Sequence, residues 1–124
     1  MKLYQRKSSL VILLMLGMLS IATIAPAQNC EESFYRAGDA YYNGDYGQVH
    51  KWLRNCIREF DESRGHYINN NPDRVFKVYK LITSAYYQTD EDYKADEYVD
   101  RLISYFSGSL SAQQVVDKLY YTQI

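Results

Sequence analysis

Two histidines, two cysteines and one run of three acids are the groups from which this chain could build a reactive or metal-binding centre. His50 lies beside the apolar row of an amphipathic stretch, and His66 lies in a polar segment. Both positions fit solvated or edge histidines better than a ligand or a base. Asp90-Glu91-Asp92 has carboxylates for calcium but lacks the glycine and the distant Glu of an EF-hand loop. Three acids in that place instead suit the positive end of a helix dipole. Paired carboxylates for glycoside hydrolysis need a fixed separation, which nothing in the sequence sets. There is no Gly-rich phosphate loop, H-E-x-x-H, C-x-x-C or G-x-S-x-G. The expectation is a protein that is not an enzyme and uses no cofactor and no metal.

Aromatic side chains are the remaining candidates. Fourteen of the 124 residues are Tyr. Such rings can fill a core while their hydroxyls reach the solvent edge, and they also anchor binding surfaces. Tyr46, Tyr79, Tyr86 and Tyr98 recur at helical spacing and read as packing residues. Others depend on which way their helices face.

The elements that must position them are helical. The first begins near Asn29, with Glu32 three residues on, close to a capping box; it carries Phe34, Ala37, Ala40 and Tyr41 and stops at Asn43-Gly44. From about Asp45 to Phe60, the residues Tyr46, Val49, Trp52, Leu53, Cys56, Ile57 and Phe60 keep a three–four spacing. The segment DESRGHYINNN that follows has no apolar period and reads as a loop. Asn71-Pro72 opens a third helix with Val75, Phe76, Tyr79, Ile82 and Tyr86. Thr89 with Asp92 reads as a capping box for a fourth, carrying Ala95, Tyr98, Val99, Leu102 and Phe106, and Ser111 with Gln114 caps a short last helix.

Residues 1–27 stand apart. Lys2, Arg6 and Lys7 precede an apolar run from Leu10 to Ala25, and Ala25-Pro26-Ala27 supplies a small-x-small cleavage pattern. This is the layout of a secretory signal peptide with a new N-terminus at Gln28. An uncleaved anchor would need about 20 apolar residues, and a lipid-carrying Cys30 would want small residues where Gln28 and Asn29 stand. Export to a periplasm or the exterior is expected, with no membrane span after cleavage. The leader holds three of the 14 basic residues and none of the 15 acidic ones, so the remainder is near −4. No basic patch exists to draw a phosphate backbone, and nucleic acid is not an expected partner.

Internal similarity organises the mature part. AGDAYYNGDYGQVHKWLRNCI and TSAYYQTDEDYKADEYVDRLI share a small residue, a Tyr-Tyr pair, a polar turn and an apolar row. Both resemble tetratricopeptide repeats: the family's small residue in the first helix falls on Ala37 and Thr83, its turn on Gly44-Asp45-Tyr46, and its small residue in the second helix on Val49 and Ala95. Asp90 replaces the turn glycine in the second unit, neither unit ends in proline, and the turns are 46 residues apart where the family repeats every 34 or so. The resemblance implies an all-α domain over 28–124, built of two antiparallel hairpins plus a short C-terminal capping helix, and is similar to periplasmic domains of that kind. It also implies a concave groove lined by the first helix of each hairpin. Projection places Glu31, Phe34, Tyr41 and Tyr42 there from the first unit, and Lys77, Lys80, Ser84, Tyr87 and Gln88 from the second. Aromatic rings beside lysines suit an extended peptide with an acidic group.

A hairpin turning at Asn43 to Asp45 also sets the cysteines. Cys30 lies about 13 residues before the turn and Cys56 about 11 after it, so at 1.5 Å per residue their levels differ by about 3–5 Å. That is within reach of a disulfide, which an oxidising compartment favours. The expected role is protein–protein interaction or scaffolding outside the cytoplasm, with an envelope complex as one partner. The rivals are a self-associating structural subunit and a small-ligand or glycan binder that stacks on Tyr42, Tyr87 and Trp52.

Overall fold

The computed structural model describes residues 29–63 and 65–124. The expected signal peptide and its cleavage site lie outside the described residues. Among the described residues the chain is all-helical, with α1 (Cys30–Tyr42), α2 (Tyr46–Glu62), α3 (His66–Asn70), α4 (Pro72–Gln88), α5 (Asp92–Tyr105) and α6 (Ala112–Tyr121).

Local chemistry sets most boundaries. The Asn29 side chain accepts the Glu32 N–H at 2.9 Å, and Glu31 and Glu32 occupy the first turn of α1, where the helix dipole favours negative charge. At the far end Gly44 takes φ +77°, and the Asp45 N–H reaches back to the Ala40 carbonyl at 2.8 Å. This bond satisfies one of the carbonyls that a helix end leaves free. The end of α4 repeats the arrangement 46 residues on: Asp90 takes φ +58°, and the Glu91 N–H bonds the Tyr86 carbonyl at 2.9 Å. The same offset pairs buried positions. Ala37 with Thr83, Ala40 with Tyr86, Val49 with Ala95, Cys56 with Leu102 and Phe60 with Phe106 are all buried.

The shared turn conformation has an energetic consequence. A left-handed backbone costs an L-residue roughly 1–2 kcal/mol, less for Asp, and costs glycine little. Asp90→Gly should therefore raise the unfolding free energy by about 0.5–1 kcal/mol, and Gly44→Ala should lower it by about 1 kcal/mol. Denaturant titration of both variants checks this; a loss of stability in Asp90→Gly would show that the aspartate side chain matters more than the backbone.

Packing joins these helices into one core. The rings of Tyr41 and Tyr46 meet at 5.4 Å beside the α1–α2 turn. Cys30 and Cys56 lie at disulfide distance at the other end, with Cα atoms 4.4 Å apart, so α1 and α2 run antiparallel. In the same way α4 lies along α5, with Tyr86 stacked on Tyr98 near one end and Phe76 against Phe106 near the other. Between these pairs α2 packs on α4, where Phe60 and Tyr79, both fully buried, meet at 6.4 Å. The last helix, α6, rests on α4 and α5 and buries Val115 and Leu119. Its Ser111–Gln114 capping box forms with both bonds present.

Two local expectations are corrected. The segment read as a loop contains the helical turn α3: Gly65 adopts φ +88°, the Ser63 hydroxyl accepts the Tyr67 N–H at 3.2 Å, and Ile68 is buried. One buried residue is too few to make a period. Thr89 does not cap α5, which starts at Asp92 with no side-chain cap bond. Its hydroxyl instead bonds the Tyr86 carbonyl and the Glu91 carboxylate, because the left-handed Asp90 intervenes before the next helix begins.

Candidate functional site

The residues assigned to a groove fall into three places. At the N-terminal end of α1, Glu31 and Phe34 meet Arg74 of α4. The Arg74 guanidinium stands 3.6 Å from the Glu31 carboxylate and 4.4 Å from the centre of the Phe34 ring. A cation over an aromatic face is attractive, so these groups join α1 to α4. Lys77 is exposed close by, in a shallow depression with Pro72 and Arg74.

At the other end of α1, Tyr41 is half-buried against Tyr46, whereas Tyr42 is 72% exposed. The Tyr42 hydroxyl donates to the Ile124 carbonyl at 3.2 Å. The end of the described chain therefore reaches the end of α1.

The third place is a pocket of about 300 Å³ in which Lys80, Ser84 and Tyr87 of α4 face Val116, Leu119 and Tyr120 of α6, with Asp96 and Val99 of α5 completing the wall. Lys80 Nζ donates to the Tyr120 carbonyl at 3.0 Å and lies 5.6 Å from the centre of that ring. The Tyr87 hydroxyl donates to Asp96, and burial together with that carboxylate holds its pKa above the usual phenol value. Gln88 is exposed at the end of α4 and is not part of the wall.

The structure thus brings Lys80, Ser84 and Tyr87 together and leaves Glu31 and Phe34 in a separate contact. Projection from two hairpins omitted Val116 and Tyr120. Their signal was present: Val115-Val116 and Leu119-Tyr120 give α6 two adjacent rows, and only Val115 and Leu119 are buried. Trp52, a candidate stacking platform, is half-buried with the Arg36 guanidinium 5.0 Å from its ring centre.

His50 is half-buried and stacked on Tyr86, ring centres 3.8 Å apart and 14° from parallel. Burial lowers its pKa, partly countered by Glu91. Among the described residues, no group of three or more His, Cys, Asp or Glu side chains is placed to hold a metal ion. No described helix is long and apolar enough to cross a membrane. No family model, curated protein or solved structure matches the chain.

Proposed function

We propose that the mature chain is an exported, tetratricopeptide-like interaction module, without catalytic activity, that binds an extended segment of another protein across α1, α4 and α6. The observation that carries this reading is the exposed rim of the α4–α6 pocket. Tyr87 and Val116 are 46% and 39% exposed, Tyr120 is 73% exposed, and Tyr42 stands exposed at the end of α1. Water is a poor environment for the exposed faces of Tyr87, Val116 and Tyr120 around one concavity, and such patches mark interaction surfaces. Lys80 at the same pocket supplies a positive charge for an acidic group. The matching turns and buried positions of the two halves support a repeat built from two helical hairpins. A cysteine pair at disulfide distance fits an oxidising compartment.

The test is a pull-down from the native envelope followed by calorimetry on the captured partner. Tyr42→Ala and Tyr87→Ala should each weaken binding by about 2 kcal/mol, the scale of an aromatic anchor. Both rings are exposed and each hydroxyl makes one bond, so the stability cost should stay below about 1 kcal/mol. Parallel losses of binding and of thermal stability would make the rings structural and defeat the assignment.

Self-association is a second reading, favoured by α6, which exposes Val116, Tyr120 and Tyr121 at one end of the helical stack. Light scattering on a sizing column separates the two: a concentration-dependent dimer broken by Tyr120→Ser supports the second, and a monomer supports the first.

A further inference from the structure

Away from the α4–α6 pocket, a cleft of about 450 Å³ opens between α2 and α5 over α4. The geometry points to this cleft as a binding site for a small ligand that carries a flat ring and an oxyanion. Its ring-binding element is a column of stacked rings, His50 on Tyr86 and Tyr86 on Tyr98 at 5.6 Å and 22°. A planar ligand can extend such a column at low conformational cost. Its anion-binding element is three guanidiniums, those of Arg54 and Arg58 on α2 and Arg101 on α5. Among the described residues, no carboxylate lies within ion-pair distance of any of the three. Arg101 is also 5.3 Å from the centre of the Tyr98 ring, which places a charge next to the end of the column.

The rim is not uniformly basic. Asp61 and Glu62 also line the cleft, but Asp61 accepts the Tyr105 hydroxyl. Three cations against two acids, one of them already engaged, leave the cleft net positive. Guanidinium forks bind carboxylate, phosphate and sulfonate groups through paired charge-assisted hydrogen bonds. The volume lies in the range of small-ligand sites.

The experiment titrates the mature protein with phenyl phosphate while following the side-chain NMR signals of His50, Tyr86 and Tyr98. Saturable shifts at these three residues are expected, with Kd on the order of 0.1–1 mM. Benzyl alcohol, which keeps the ring without the charge, should bind at least about tenfold more weakly, and so should inorganic phosphate, which keeps the charge without the ring. Arg58→Gln and Arg101→Gln replace exposed side chains and should each raise Kd about tenfold with unchanged thermal melts. Arg36→Gln, outside the cleft and ion-paired to Glu32, should leave Kd unaltered. The proposal is overturned if the three residues do not shift up to about 10 mM ligand, if benzyl alcohol or inorganic phosphate binds as well as phenyl phosphate, or if Arg36→Gln weakens binding as much as the cleft variants. Tyr42→Ala and Tyr87→Ala should not affect this titration, so the cleft and the peptide-binding face stand or fall separately.

Discussion

Replacing Cys30 and Cys56 together with alanine should lower the unfolding free energy by about 3–4 kcal/mol. The two residues are separated by 26 positions and are both buried, at 2% and 0% exposure. A bond between them closes a loop of that length in the unfolded chain and removes much of its conformational freedom, which is the origin of the figure. For a domain of this size, whose net stability is on the order of 5–10 kcal/mol, the loss would be a large fraction of the whole. Denaturant titration of the oxidised protein, the reduced protein and the double alanine variant measures it. The oxidised form should be the most stable and the other two similar. Two titratable thiols in protein purified without reductant would contradict the bridge and remove the basis of the prediction.

Alkaline titration should destabilise the fold to a comparable extent. Burial, aided by neighbouring hydroxyls and acids, pushes the phenols of Tyr86 and Tyr105 up to about 12. It shifts Tyr79 and Tyr67 in the same direction. In the unfolded chain these groups lose their protons near 10. Between those values the folded state holds more protons than the unfolded state, so stability is fully present below about pH 10 and is lost as pH rises towards 12. A two-unit shift corresponds to about 2–3 kcal/mol for Tyr86; Tyr105 is partly exposed, and solvent screening makes its share smaller. Unfolding midpoints measured between about pH 8 and pH 11 should fall steeply at the upper end. Tyr86→Phe should flatten that fall. Midpoints that stay level across the range would show that the buried rings ionise as easily as free tyrosine.

The sequence made most helices legible because their ends carry specific chemistry. Asn29, Gly44, Pro72 and the Ser111–Gln114 pair each solve the problem of unpaired backbone groups at a helix end, and each stands where the structure starts or stops a helix. Asp90 displaced a boundary: the repeat pattern put it at the turn, but the Thr89–Asp92 spacing reads as a cap, whereas α5 starts at Asp92 without one. Ile68 hid α3, since a single buried side chain has no period. For the candidate site, projecting a repeat pattern grouped Lys80, Ser84 and Tyr87, which share one face of α4 and line one pocket. It could not find Val116 and Tyr120, which depend on how α6 docks. Nor could it find the α2–α5 cleft, which Arg54 and Arg101 both line only because two helices distant in sequence lie over the same stretch of α4.

The uneven placement of contacts along the chain also sets how its parts open. Cys30 and Cys56 fasten α1 at the end opposite its turn, so α1 cannot peel away from α2 without wider unfolding. The last helix is held by the buried Val115 and Leu119 and by a few polar contacts such as Lys118 with Asp73. In terms of hydrogen exchange, the amides of α1 should therefore exchange more slowly than those of α6, which can open locally. The proposed peptide-binding face thus includes a helix held by few buried side chains. A partner seated on it would slow C-terminal exchange far more than it slows the rest, so occupancy of that face could be followed through backbone amides far from any label.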